Sequence, residues 1–148
     1  MRPLAIAIVA ILMAASGFSQ WIQLGSDIDG EAGGDRSGEA VSLSADGSIA
    51  AIGAKWNHGA GDLAGHVRIF QWGGTGWIQR GNDIDGQVAW DRSGEELSLS
   101  ADGNIVAISA SEHGDSGHVR IFQWNGTEWI QRGSDIDGET AGDDSGYS

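Results

Sequence analysis

The chain contains no cysteine. Disulfides, thiolate metal centres, cysteine nucleophiles and a bacterial lipoprotein anchor are thereby excluded. Proline occurs once, at Pro3, and lysine once, at Lys55. Basic residues are scarce as a class, 8 Lys and Arg against 21 Asp and Glu, for a formal net charge of −13 over 148 residues. A polyanion of that density repels phosphate backbones and anionic membrane surfaces, so nucleic acid is not an expected partner. Past the N-terminus there is no apolar run long enough to cross a membrane as a helix. Glycine is plentiful, at 25, but without a Gly-X-Y period, which excludes collagen. Apolar residues make up 40% of the chain, too many for a disordered one.

The one long apolar run lies in residues 1–20, MRPLAIAIVAILMAASGFSQ. Arg2 supplies a positive start, Leu4 to Ala15 form an apolar segment of signal-peptide length, and small residues follow. Residues 1–19 are therefore expected to be a signal peptide, leaving an exported, secreted or cell-surface protein that does not insert in the membrane after cleavage.

The rest is repetitive. WIQLGSDIDG at 21–30 returns as WIQRGNDIDG at 77–86 and WIQRGSDIDG at 129–138. SLSADG appears at 42–47 and 98–103, and GHVRIFQW at 65–72 and 117–124. The spacing is 56 residues and then 52, and the difference is confined to one stretch, 53–67 against 109–119, as expected of a surface connection. Within a unit, EAVSLSA alternates with the two-residue period of a pleated strand. Asp46-Gly47 predicts a two-residue type I′ hairpin, with positive φ at both centres. SIAAIGA, HVRIFQW and GWIQRG supply three further strands. The spacing predicts an all-β fold of tandem four-stranded antiparallel blades, an incomplete β-propeller. Its parts are an outer strand over 20–30, blade one over 36–86, blade two over 92–138 and the start of a third over 139–148. Open faces at both ends of such a stack imply further repeats of a longer chain, or self-association, to complete the fold.

The stretch GDRSGEAVSLSADGSIAAIGAK (34–55) resembles the FG-GAP repeat of integrin α-chain propellers, through Ser37-Gly38, the small-residue strand and Ile52-Gly53-Ala54. The second unit, DRSGEELSLSADGNIVAISA (91–110), resembles it less, with Ser109-Ala110 in place of Gly-Ala. The resemblance implies propeller blades and an extracellular adhesive or binding role. It does not carry that family's calcium loop over to Asp46 or Asp102, because the tight turns there cannot wrap six to eight oxygens around an ion.

Candidate functional residues follow from what repeats and what does not. Asp27, Asp29 and Asp35, with Asp83, Asp85 and Asp91 and with Asp135, Asp137 and Asp143, offer hard oxygen ligands that suit calcium. The competing reading is structural, with the aspartates shaping turns and Ile28 and its counterparts packing inward; Gly30 also comes too early for an EF-hand. Paired carboxylates serve glycoside hydrolysis, but a pair present three times reads as scaffold, and no GxSxG motif occurs, so an enzyme is not expected. His113, Asp115 and His118 have spacing suited to zinc, although hydrogen bonding at loop ends explains the histidines better. Of 7 tryptophans, Trp21, Trp77, Trp129, Trp72 and Trp124 recur and read as packing. Trp56 and Trp90 do not recur and are the candidate ligand contacts. The expected partner is an extracellular protein or a glycan. A calcium-dependent carbohydrate-binding module is the second reading and a propeller hydrolase the third.

Overall fold

The computed structural model describes residues 21–147. The expected signal peptide falls outside them. Among the described residues there is no helix, and so none long and apolar enough to cross a membrane. The chain forms two five-stranded antiparallel sheets. In the first, β1 (Val41–Leu43), β2 (Ile49–Ala54) and β3 (His66–Trp72) lie side by side, and the far edge of β3 is shared by β4 (Trp77–Gln79) and β5 (Ile84–Asp85). The second repeats this plan with β6 (Leu97–Leu99), β7 (Ile105–Ala110), β8 (His118–Trp124), β9 (Trp129–Gln131) and β10 (Ile136–Asp137). Register is conserved as well: Ala51 faces Ile69 in one sheet and Ala107 faces Ile121 in the other.

Three local expectations are modified. The fourth strand is broken. Trp77–Gln79 pairs with Phe70–Trp72, the chain loops out, and Ile84–Asp85 rejoins β3 opposite His66 and Val67. The DIDG string is thus partly strand, because Ile84 must reach the buried layer. The turn at Asp46-Gly47 is also not type I′. Only Gly47 has positive φ, at 72°, and its N–H donates to Ser44 O, which makes Ala45 and Asp46 the central pair. Asp46 is held by its own side chain, which accepts from the Ser48 N–H and from the Ser44 and Ser48 hydroxyls. These bonds, the Ser48 N–H foremost, hold its carboxyl down to about 2. Residues 21–30, expected as an outer strand, carry no strand. The equivalent WIQ segments pair with an HVRIFQW strand that precedes them, and 21–30 meets none among the described residues.

The core lies between the two sheets. Ile49, Ala51, Val67, Ile69 and Ile84 come from the first; Leu99, Val106, Ile108 and Phe122 come from the second, with Leu97 and Trp129 at the margin. Each fully buried isoleucine or valine here contributes about 1.5–3 kcal/mol. The sheets approach so closely that side chains are excluded at the contact. A Cβ on Gly53 would sit 2.1 Å from Gly94 O. Gly53→Ala is therefore expected to destabilise the chain by about 1–3 kcal/mol in urea unfolding, whereas Gly76→Ala, which meets open space, should cost less than 1 kcal/mol, roughly the scatter of surface changes. Equal costs would contradict the close approach.

Candidate functional site

The repeated strings meet at the junctions between units, and each junction is built the same way. Arg68, on β3, donates from Nη2 to Asp29 O at 2.6 Å; Arg120, on β8, donates to Asp85 O at 2.7 Å. The Trp77 indole donates to Leu24 O at 3.1 Å, and that of Trp129 to Arg80 O at 2.8 Å. A Cβ on Gly25 would strike the Trp72 ring, and one on Gly81 the Trp124 ring. The segment 21–31 therefore docks on sheet one as the equivalent part of sheet one docks on sheet two. Lys55 adds a bridge, 2.8 Å from Glu39 and 2.8 Å from Glu95, and hydrogen bonds to Glu39 and then Glu95 raise its pKa.

A cleft opens at each junction. The first is lined by Asp27, Ile28, Asp29, Arg68, Phe70 and Trp77 and has a volume of about 350 Å³. The second is lined by Asp83, Ile84, Asp85, Arg120, Phe122 and Trp129 and has a volume of about 290 Å³. Carboxylates, a guanidinium and two aromatic rings around a space of that size can hold one small polar ring, with hydrogen bonds at its edge and stacking on its face.

The nine aspartates take different roles according to their place in the string. The first of each copy, Asp27, Asp83 and Asp135, accepts from the glutamine four residues earlier: Gln23, Gln79 and Gln131, at 2.7, 2.6 and 2.6 Å. Burial raises the Asp135 pKa, but the Gln131 and Gln87 amides outweigh it and the net direction is down. The second, Asp29, Asp85 and Asp137, exposes its side chain. The third closes its own turn. Asp35 accepts from the Ala32 N–H and from Asn57, Asp91 from the N–H groups of Gln87 and Val88, and Asp143 from Thr140. Asp35 and Asp91 are buried, which explains the constancy of the third aspartate without an ion. The three aspartates of one copy do not gather around a common point in any copy; the groups that do gather are Glu31, His66 and Asp83, and His118, Asp135 and Asp137.

His66 and His118 open β3 and β8, and His113 lies in the loop before β8. His113 Nδ1 lies 2.7 Å from Asp91 Oδ1, where the first unit has the Asn57 amide on Asp35. His113 also stacks on His118, with ring centroids 4.0 Å apart. His118 is fully buried, and neither ring nitrogen has a hydrogen-bond partner among the described residues. Burial first, and then the charge of His113, hold its pKa below the ordinary value. Asp115 is not part of either gathered group.

Trp56 and Trp90 lie apart from the junction clefts. The Trp56 ring is covered by the Arg36 guanidinium at 3.6 Å. Trp90 is 57% exposed on a left-handed backbone with φ 72°. Sequence reasoning missed Arg68, Arg120 and Lys55, although the first two sit in the repeated GHVRIFQW string and a buried arginine in a strand signals a backbone partner.

A scan against protein-family models returns no match, and a search of curated proteins finds no similar chain.

Asp91→Ala strips the acceptor from two backbone N–H groups and should cost about 2–3 kcal/mol, while the exposed Asp143→Ala should cost under about 1 kcal/mol. Both values should be unchanged by millimolar calcium in chemical denaturation. A calcium-dependent difference would restore the ion to this position.

Proposed function

We propose that this chain is an exported, non-catalytic repeat protein of the β-propeller type, its sheets serving as FG-GAP-like blades, with a binding or cell-surface adhesion role. The observation that carries the reading is the recurrence of one cleft, with the same residue types, at successive junctions. A catalytic centre needs one set of groups in a unique environment. A row of equivalent clefts instead suits a ligand that itself repeats, since several weak contacts on one polymer multiply in effect. The cleft chemistry favours a neutral glycan: hydroxyls on Asp29 or Asp85, a sugar face on Trp77 or Trp129. An extracellular polypeptide with repeated polar side chains is the other ligand class.

The test is binding of immobilised neutral polysaccharides, followed by tryptophan fluorescence. Asp29→Asn and Asp85→Asn should each remove about half the capacity, and the double variant nearly all. Trp90→Ala should leave binding intact. If Trp90→Ala alone abolishes it, the ligand sits on the Trp56–Trp90 loops, and the cleft reading fails.

The sheet faces support the propeller reading in a second way. On sheet two, Ile105, Ala107, Val119, Ile121 and Ile136 occupy the positions that Ile49, Ala51, Val67, Ile69 and Ile84 occupy on sheet one, yet all are partly or fully exposed. On sheet one, Val41 and Leu43 stand where Leu97 and Leu99 stand on sheet two, and are 56% and 55% exposed. The open face of one end therefore has the chemistry that already packs against the open face of the other. Further sheets of the same kind, from continuing repeats or from a second copy, complete the stack. In sedimentation experiments the chain should self-associate head to tail. Leu43→Asp and Ile121→Asp should each leave it monomeric, and a mixture in which each variant lends its intact face should form a defined heterodimer. A wild-type chain that stays monomeric at high concentration would contradict this.

A further inference from the structure

We propose that Glu31, His66 and Asp83 form a site for one divalent metal ion of the zinc type. The three residues come from separate elements: the connection after the first DIDG string, the first residue of β3, and the loop between β4 and β5. Each offers one ligand atom, and these atoms lie within 4.8 Å of one another. His66 is 1% exposed. Its Nδ1 faces Asp83 Oδ2 at 3.7 Å and Glu31 Oε2 at 3.9 Å, both beyond hydrogen-bond reach, and its Nε2 is buried with no partner among the described residues. A buried imidazole aimed between two carboxylates and bonded to neither is a lone pair without a use. The nearby cation is Arg68, 4.0 Å from Glu31 through Nη1, but its Nη2 is committed to Asp29 O.

Metal–ligand bonds of about 2.0–2.2 Å at tetrahedral angles place ligand atoms roughly 3.4 Å apart. The two distances from His66 need to close by about half an ångström to meet that spacing, within the reach of the half-exposed Glu31 side chain. One nitrogen and two oxygens suit zinc and its neighbours; calcium asks for six to eight oxygens. Water takes the fourth position, toward the exposed side of Glu31 and Asp83.

The second unit supplies an internal comparison. Gln87 stands where Glu31 stands, and its amide donates to Asp135 Oδ2 at 3.0 Å. The amide occupies the oxygen that a metal would need, so the group His118, Asp135 and Asp137 is the weaker site. This inference does not depend on the glycan reading, whose test alters Asp29 and Asp85.

The experiment is calorimetric titration of the chelator-stripped chain with zinc chloride alone, paired with thermal unfolding. The expected result is one tightly bound ion per chain and a rise in Tm. Glu31→Gln, a change at an exposed position that copies the second unit, should weaken binding by at least about tenfold. Gln87→Glu should add a second ion. No heat and no Tm change up to millimolar zinc would overturn the proposal. So would Glu31→Gln binding like the unaltered chain, or calcium matching zinc in affinity.

Discussion

A β-sheet that is apolar on both faces must find a cover for each, and in this chain the cover for one sheet is the next sheet. Everything else follows from that contact. The core is the layer between sheet one and sheet two. Glycines stand where the units approach most closely: the backbone of Gly53 meets that of Gly94, and Gly103 abuts the Ile49 side chain. The polar residues that recur either close turns at its rim or reach over it, as Arg120 does to Asp85 O and Trp129 to Arg80 O. The buried guanidiniums of Arg68 and Arg120 each donate to a backbone carbonyl, Asp29 O and Asp85 O.

Repetition makes one solution serve at every junction. The same geometry that fastens the sheets leaves a gap between one DIDG string and the Phe–Trp pair that follows it, Phe70 and Trp77 or Phe122 and Trp129. Function, on this reading, occupies space that the packing leaves open. The sites differ where the units differ: Glu31 against Gln87 at the histidine group, Asn57 against His113 on the buried aspartate. A repeat array can vary such positions one at a time, since each change is felt by one junction only.

Much of the architecture was legible in the sequence because the strand-forming segments recur between turn signals. His66–Trp72 and Ile49–Ala54 fall on the expected segments, and the outer parts of a unit follow from the recurrence of WIQ. The break in the fourth strand was not legible. Ile84 belongs to β5 because Val67 lies opposite it, a fact of pairing that no local pattern records. The Asp46 turn was misjudged for a related reason: dipeptide preference suggested positive φ at both centres, and three hydrogen bonds to one carboxylate decided otherwise. The site was the least legible part. DIDG advertised its aspartates as a cluster, but Asp83 accepts from Gln79 and faces His66, while the third aspartate, Asp91, closes its own turn. The residues that gather come from three stretches linked only by the fold.

Nuclear Overhauser contacts between the Ile49 methyls and the Gly103 α protons test the stacking of the sheets most directly. A strong contact is expected, since the two groups meet across the interface. Absence of that contact, with the two repeats tumbling as independent units, would contradict the account.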